Sequence, residues 1–144
     1  MVGSQNVLFQ LAINEDKFAH PPGEPIAQQL GQALKNRGIA VSEIDNWRDS
    51  GWSIDFVHGD APYQIAVATV GEDNLWMAQI APTNRPGVIA RLFGAKVVDR
   101  SRELFDLASA VHAALIAIGG TNLRWKIDGF PDDSSTNEPI EKPG

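Results

Sequence analysis

Hydrophobic and polar positions follow two different spacings along this chain of 144 residues. Alternation with a period of two places successive side chains on opposite faces of a strand, whereas recurrence every three or four residues forms one face of a helix. Six stretches show the first spacing and two longer stretches show the second. The predicted strands are residues 7–13, 39–47, 52–58, 63–70, 75–81 and 122–128, and the predicted helices are residues 21–38 and 101–118.

The order of these elements, β-α-β-β-β-β-α-β, predicts an α+β fold. We expect a two-layer sandwich in which two main helices cover one face of a mostly antiparallel sheet. Short polar turns join the four consecutive strands, which is typical of an antiparallel meander. Residues 63–70 are apolar on both faces and predict an interior strand, whereas the charged face of residues 122–128 is typical of an edge strand.

The middle of the chain is organised around a predicted hairpin at residues 45–56. A polar run from Arg48 to Gly51 separates two aromatic arms, and Gly51 could adopt the positive φ that such turns require. A symmetric register would make Trp47 and Trp52 cross-strand neighbours, with Arg48 over an indole face. Two interpretations stay open, namely buried structural tryptophans and an exposed aromatic recognition site.

The composition predicts one acidic domain. Residues 1–130 are long enough to form a single α+β domain, and residues 131–144 have too little apolar material to order themselves, so we predict a mobile acidic tail. The chain has no cysteine, which excludes disulfides, thiolate nucleophiles and cysteine zinc sites. No signal-peptide or membrane-spanning pattern occurs, and we predict a cytoplasmic protein.

No motif in the sequence predicts a catalytic, cofactor or metal site. The best metal candidates are Asp49, Asp55, His58 and Asp60, which we interpret as solvated turn residues because Asp55 and His58 point to opposite faces of one strand. His112 lies beside the apolar face of the second helix, where a structural role is expected. There is no phosphate-binding glycine loop and no triad order. We predict no cofactor, and enzymatic activity stays an alternative.

A basic segment runs from Arg85 to Arg102 within the acidic chain. It contains five basic residues and one acidic residue. Its apolar residues, which recur at helical spacing, are Val88, Ile89, Leu92 and Phe93. One interpretation is a connector that covers part of the core with its charges in solvent, and the other is a partner surface, because arginine beside exposed leucine and phenylalanine is typical of interface anchors.

Four landmarks of the sequence resemble a family of small bacterial proteins without an assigned function. The landmarks are Pro21-Pro22-Gly23-Glu24, Trp47-Arg48-Asp49-Ser50-Gly51-Trp52, Arg91-Leu92-Phe93-Gly94 and Gly129-Phe130-Pro131-Asp132-Asp133. The resemblance covers most of the chain. It implies that residues 130–133 belong to the domain, with Phe130 packed on it. No catalytic or binding residue follows from it, because none is known for that family.

The favoured interpretation is a non-enzymatic protein-interaction module, such as an immunity-type inhibitor or an accessory protein. The candidate interaction surface consists of Trp47, Arg48, Trp52, Arg91, Leu92 and Phe93. A net charge of -6 and a pI near 4.9 favour an unidentified, basic protein partner over nucleic acid, and stable membrane binding is not expected. The alternatives are a small-molecule-binding domain or small enzyme with a pocket near His58 and Trp52, and an acidic homodimer that resembles secretion chaperones.

Overall fold

The computed structural model describes residues 3–13, 21–47, 50–59, 61–71, 74–83, 99–132 and 134–141. All strand pairs in this part of the chain are antiparallel and belong to one sheet in the order β2-β3-β4-β5-β1-β6. The predicted α+β class and order of elements are confirmed. The elements are β1 (Gln5–Gln10), α1 (Glu24–Lys35), β2 (Ala40–Trp47), β3 (Gly51–His58), β4 (Ala61–Thr69), β5 (Leu75–Pro82), α2 (Ser101–Ala117) and β6 (Thr121–Ile127).

The core lies between one face of the sheet and the two helices. Strand register aligns the buried side chains in rows across the sheet, so that Phe9 lies opposite Trp76 and Ile54 lies opposite Ile65. Removing such large apolar side chains from water is the main favourable contribution to folding. The helices cover these rows with Ile26, Leu30 and Leu34 from α1 and with Leu104, Leu107, Val111 and Leu115 from α2, all of them buried.

Helix α1 lies within its predicted range and is three residues shorter at each end. Gly23 precedes the helix with a φ of 110°, Pro25 lies in the first turn, and Glu24 places a carboxylate at the positive end of the helix dipole. After Lys35 the chain turns at Gly38, which has a φ of 87°. Glycine adopts this conformation without the steric cost that a Cβ would add. The helix therefore spans residues 24–35, within the predicted range.

Strand β1 begins earlier than the apolar alternation predicts. The prediction of residues 7–13 misses Gln5 and Asn6, which are polar yet only 1% exposed. The Gln5 amide and the Asn6 Nδ2 group are hydrogen-bonded inside the domain, whereas Asn6 Oδ1 has no partner among the described residues. Gln5 Nε2 donates to the Ile140 carbonyl at 2.8 Å, and Gln5 Oε1 accepts from the Ile140 backbone N–H at 3.2 Å. Asn6 Nδ2 donates to the Gly129 carbonyl at 2.9 Å. Burial of polar groups in a strand is tolerated when hydrogen bonds replace water.

The described C-terminal residues lie along the outer edge of β6. Trp125 and Thr136 exchange two backbone hydrogen bonds of 2.6 and 2.9 Å, and the Arg124 guanidinium donates to Ser135 Oγ. The Asp132 carboxylate accepts hydrogen bonds from the Ser134 hydroxyl and the Lys126 ammonium. These bonds, mainly the one from Ser134, hold the pKa of the carboxyl well below its usual range. The predicted edge position of the last strand is confirmed.

These contacts qualify two expectations about the end of the domain. The mobility of residues 131–144 stays a prediction, although the described part of this segment is hydrogen-bonded to β6 and β1. The resemblance implied that Phe130 packs on the domain, whereas its side chain is 54% exposed. The backbone beside it is the part held by the domain, because the Gly129 carbonyl accepts the hydrogen bond from Asn6.

The predicted hairpin forms, but its register differs from the symmetric one. Trp47 lies opposite Gly51, and Trp52 lies opposite Asn46. Successive pairs project to opposite faces of a sheet, so the two tryptophans lie on opposite faces and the predicted cross-strand contact is wrong. The turn is therefore shorter than the sequence indicated, because Gly51 belongs to β3.

Gly51 is required for a close approach to β4 and not for a turn with positive φ. Its φ is not positive, and a Cβ at this position would lie 2.1 Å from the Val67 carbonyl oxygen and 3.1 Å from the Ala68 Cβ. The first contact is with backbone, which cannot rotate away as a flexible side chain can. The absence of a side chain at Gly51 lets the start of β3 lie against β4.

We expect the substitution Gly51→Ala to lower the free energy of unfolding by about 1–3 kcal/mol, because the methyl group forces β3 and β4 apart. Denaturant unfolding would measure the change. Gly129→Ala is the matched control, since a Cβ there meets its neighbours only at 3.9 and 4.0 Å. Equal stability of the two variants would contradict the close approach.

Candidate functional site

The structure describes only part of the predicted interaction surface. Arg48, Arg91, Leu92 and Phe93 lie outside the described residues, whereas Trp47 and Trp52 lie inside them. Of the metal candidates, Asp49 and Asp60 also lie outside. Within the described ranges, no group of three or more histidine, aspartate or glutamate side chains could hold a metal ion.

Trp52 has a structural role on the helix face of the sheet. Its side chain is half-buried, and its indole Nε1 donates to the Pro21 carbonyl at 3.0 Å. The ring also lies close to Gly23, where an added Cβ would be 3.7 Å from Trp52 Cδ1. Trp52 therefore ties β3 to the residues that precede α1, which matches the structural interpretation of this tryptophan.

Trp47 lies on the other face, beside a group of carboxylates. Three successive pairs of β2 and β3 project to this face, which are Glu43 with Asp55, Asp45 with Ser53, and Trp47 with Gly51. Glu43 and Asp45 are exposed, and Trp47 and Asp55 are half-buried. We call the side chains of Glu43, Asp45, Trp47 and Asp55 the β2 acidic surface.

The pair of Glu43 and Asp55 brings two negative charges directly opposite each other across the sheet. Like charges at this position destabilise a strand pair. Asp55 Oδ1 accepts one hydrogen bond of 3.2 Å from Gln64 Nε2, which is a neutral donor and does not cancel the charge. The β2 acidic surface therefore contains one like-charge pair, Glu43 with Asp55.

Ion pairs in the described part of the chain lie elsewhere. They join Arg100 to Glu103, Arg102 to Asp106 and Glu141, and Lys126 to Asp132, all on α2, β6 and the C-terminal segment. No ion pair among the described residues involves Glu43, Asp45 or Asp55. None of these ion pairs includes a residue of β2 or β3.

The two edges of the sheet also differ in how they are covered. The C-terminal segment lies along β6, whereas no other described strand lies beside the outer edge of β2. The outermost strand β2 is mostly exposed and has an irregularity between Val41 and Glu43, where Ser42 Oγ donates to the Asp55 carbonyl at 2.9 Å. Charges and bulges on an edge strand oppose pairing with a second copy of the same strand.

A second group of polar residues lies where α2 meets the β3–β4 hairpin. Tyr63 is only 1% exposed. Burial is the largest cause that raises the pKa of its hydroxyl to about 12, and the negative charge of Glu103 is the next. Arg100 Nη1 lies 2.9 Å from Glu103 Oε1, and the His58 ring lies edge-on to Tyr63 with centroids 6.3 Å apart. This arrangement keeps the Tyr63 hydroxyl protonated at neutral pH.

The described pockets lie away from His58 and Trp52. One shallow pocket of about 360 Å³ is lined by Asn6, Gln79 and Phe130 among others, and a second of about 440 Å³ is lined by Leu8 and Arg124 among others. Both lie towards the β1 and β6 side of the sheet. A pocket between sheet and helices near His58 stays a prediction.

His112 has the structural role expected of it. Its Nδ1 accepts a hydrogen bond of 3.0 Å from Nε1 of Trp125, which is fully buried. A buried indole N–H needs such a partner, because desolvation without a hydrogen bond is costly. The histidine therefore satisfies the donor of the largest buried side chain and joins α2 to β6.

Comparison with protein-family models, curated proteins and solved structures finds no match to this chain. The resemblance to small bacterial proteins therefore stays a prediction. In the described residues, neither helix has the length and apolar character needed to span a membrane. The chemistry of the site must be argued from its own geometry.

We expect Glu43→Gln to raise the free energy of unfolding by about 0.2–1 kcal/mol, because it removes one member of the like-charge pair with Asp55. Denaturant unfolding at low and high salt would test this, and the gain should shrink as salt screens the repulsion. Glu138→Gln, on the opposite edge of the sheet, is the control with the same change in charge. A loss of stability in Glu43→Gln would contradict the repulsion.

We also expect the tyrosine of this chain to ionise only near pH 12, as measured by tyrosinate absorbance. Tyr63 is the single tyrosine in the sequence, so the signal has one source. The pKa of Tyr63 is higher in the folded state than in the unfolded state, where it is near 10. The contribution of Tyr63 to the free energy of unfolding is therefore full below pH 10 and is lost as the pH rises towards 12. Ionisation of the folded protein near pH 10 would contradict the burial of this hydroxyl.

Proposed function

We propose that this chain is a non-enzymatic protein-interaction module whose β2 acidic surface binds a basic protein partner. The observation that carries the proposal is the position of Glu43 directly opposite Asp55. Two facing carboxylates cost stability in the isolated chain, and a cationic side chain between them converts repulsion into attraction. Asp45, one pair further along the same face, extends the negative surface.

The charge of the whole chain supports a basic partner. A net charge of -6 attracts cationic proteins over a distance and raises their rate of association, an effect that weakens with salt. Specific binding also requires an apolar contact near the charges. Trp47 supplies it, because it lies half-buried on the same face, and tryptophan is among the residues that contribute most to interfaces.

This arrangement fits an immunity-type inhibitor or an accessory protein of the bacterial cytoplasm. Inhibitors of basic enzymes and carriers of basic proteins both need a negative surface with an aromatic anchor, and neither needs a catalytic centre. We propose no nucleic-acid partner and no stable membrane binding, because a negative surface repels phosphates and anionic lipids. The basic segment with Arg91, Leu92 and Phe93 stays a second candidate surface.

We expect the double variant Glu43→Lys, Asp45→Lys to lose at least about tenfold in affinity for partners that the wild type captures from lysate, because both carboxylates become cationic. Captured proteins would be identified by mass spectrometry, and affinity would be measured on the purified partner. The control Asp106→Lys, Glu138→Lys changes the net charge equally, and both control residues are exposed on other parts of the chain. Thermal unfolding would show that both variants are folded.

Retention of every partner by the β2 variant would overturn the proposed surface. A third variant, Arg91→Glu with Phe93→Ala, tests the other candidate. If that variant alone loses the partner, the basic segment is the binding surface. If both double-lysine variants lose the partner equally, net charge and not the β2 acidic surface is responsible.

A further inference from the structure

We propose that the pocket formed by β1, β5 and the end of β6 binds a planar cationic group, a guanidinium or an amidinium. The pocket has a volume of about 360 Å³ and lies on the sheet face away from the helices. Strand β1 is separated from β2 by three other strands, so this inference goes beyond the proposed function and does not depend on it. It rests on a buried acceptor, a carboxylate and an exposed aromatic ring.

The pocket contains a buried amide oxygen without a partner. Asn6 is only 1% exposed, and its Nδ2 donates to the Gly129 carbonyl at 2.9 Å and to the Lys126 carbonyl at 3.4 Å. These two acceptors fix the orientation of the amide, because a flipped amide would turn its oxygen towards carbonyl oxygens. Oδ1 therefore faces away from them, and it has no hydrogen-bond partner among the described residues. A ligand N–H would satisfy this acceptor, whose burial without a partner is costly.

The side of the pocket formed by β5 consists of side chains that can move. Gln79 lies directly opposite Asn6 in the strand register, and Met77 follows on the same face. Asn6 Oδ1 has almost no exposed surface, so a ligand donor reaches it when one of these long, unbranched side chains changes its rotamer. Methionine adapts readily to different shapes. Binding of a ligand should therefore change the surroundings of Met77.

Asp128 provides a negative charge on the side of the pocket formed by β6. Its Oδ1 accepts hydrogen bonds from the backbone N–H groups of Gly3 and Ser4, at 2.7 and 3.0 Å. These bonds hold the carboxylate in place and both end on Oδ1, so Oδ2 is left for a ligand. None of the ion pairs among the described residues involves Asp128. The charge of this carboxylate favours a cation in the pocket.

Phe130 determines which cation fits best. Its ring lines the same pocket and is 54% exposed. A guanidinium or amidinium group is planar, stacks on aromatic rings and carries several N–H donors, whereas an ammonium is more strongly hydrated and is not planar. One planar cation can therefore donate to Asn6 Oδ1 and to Asp128 while it contacts the ring. An anion does not fit, because both polar groups offer oxygen acceptors.

The probe is benzamidine, whose amidinium group is planar and cationic. Benzamide is the control, because it is neutral and has nearly the same shape. Binding to the full chain would be followed by NMR of isotope-labelled methionine methyl groups. The sequence has two methionines, Met1 and Met77, and the variant Met77→Leu identifies the signal from the pocket.

We expect benzamidine to shift the Met77 signal in a saturable manner and benzamide to bind at least about tenfold more weakly. Asp128→Asn should weaken benzamidine by about tenfold, because it removes the charge. Asparagine tolerates the φ of 55° at this position as aspartate does. Asp106→Asn, which removes an exposed carboxylate of α2, is the matched control and should change the affinity by less than about twofold.

A capped Gly-Arg-Gly peptide distinguishes the two sources of such a cation. Tighter binding of this peptide than of benzamidine would assign the pocket to an arginine side chain of a partner protein. Tighter binding of benzamidine would assign it to a small molecule. Both results support recognition of a planar cation.

Three results would overturn the site, namely no saturable shift of the Met77 signal, equal affinities for benzamidine and benzamide, or equal effects of Asp128→Asn and Asp106→Asn. Thermal unfolding would show that the variants are folded. If Asp128→Asn is unfolded, Phe130→Ala replaces it, because this mostly exposed ring can be removed without opening the core. Unchanged benzamidine affinity in Phe130→Ala would then overturn the site. None of these results bears on the β2 acidic surface, whose test uses captured protein partners.

Discussion

The hydrogen bonds of β1 to strands on both of its sides are the interaction on which the rest of the structure depends. β1 comes first in the sequence, yet it lies between β5 and β6 in the sheet and joins the central meander to the last strand. Gln5 and Asn6 extend this connection, because their buried amides bind the backbone at Ile140 and Gly129. If β1 were absent, strand β6 and the C-terminal segment along its edge would have no strand to pair with.

Polar interactions are distributed unevenly between the two halves of the molecule. The half of the molecule around β6 and α2 contains the described ion pairs, the hydrogen bond between Trp125 and His112, and the strand edge that the chain covers itself. The half around β2 contains facing carboxylates and a mostly exposed outermost strand. Within the described residues, the ion pairs lie on one side of the domain, and the facing carboxylates of β2 and β3 lie on the other.

Local patterns in the sequence predicted the elements but not how they meet. The α+β class, both helices and the interior position of β4 follow from periodicity, because burial of one face imposes a period on each element. The early start of β1 was missed because Gln5 is polar, and its partner Ile140 is distant in sequence. The facing of Glu43 and Asp55 was also missed, since the hairpin pairs Trp47 with Gly51 and so differs by one residue from the symmetric register. The hydrogen bond from Trp52 to the Pro21 carbonyl joins residues far apart in sequence, so local patterns do not predict it.

The position of β1 also has a consequence for the order of folding. Gln5 pairs with Ile80 on one side and with Ile127 on the other, so its neighbours are made long after it during synthesis. The meander from β2 to β5 consists of contacts close in sequence and can form early, whereas completion of the sheet waits for the last strand to leave the ribosome. A chain with such distant pairings folds slowly for its size, and a nascent β1 has exposed strand edges until then.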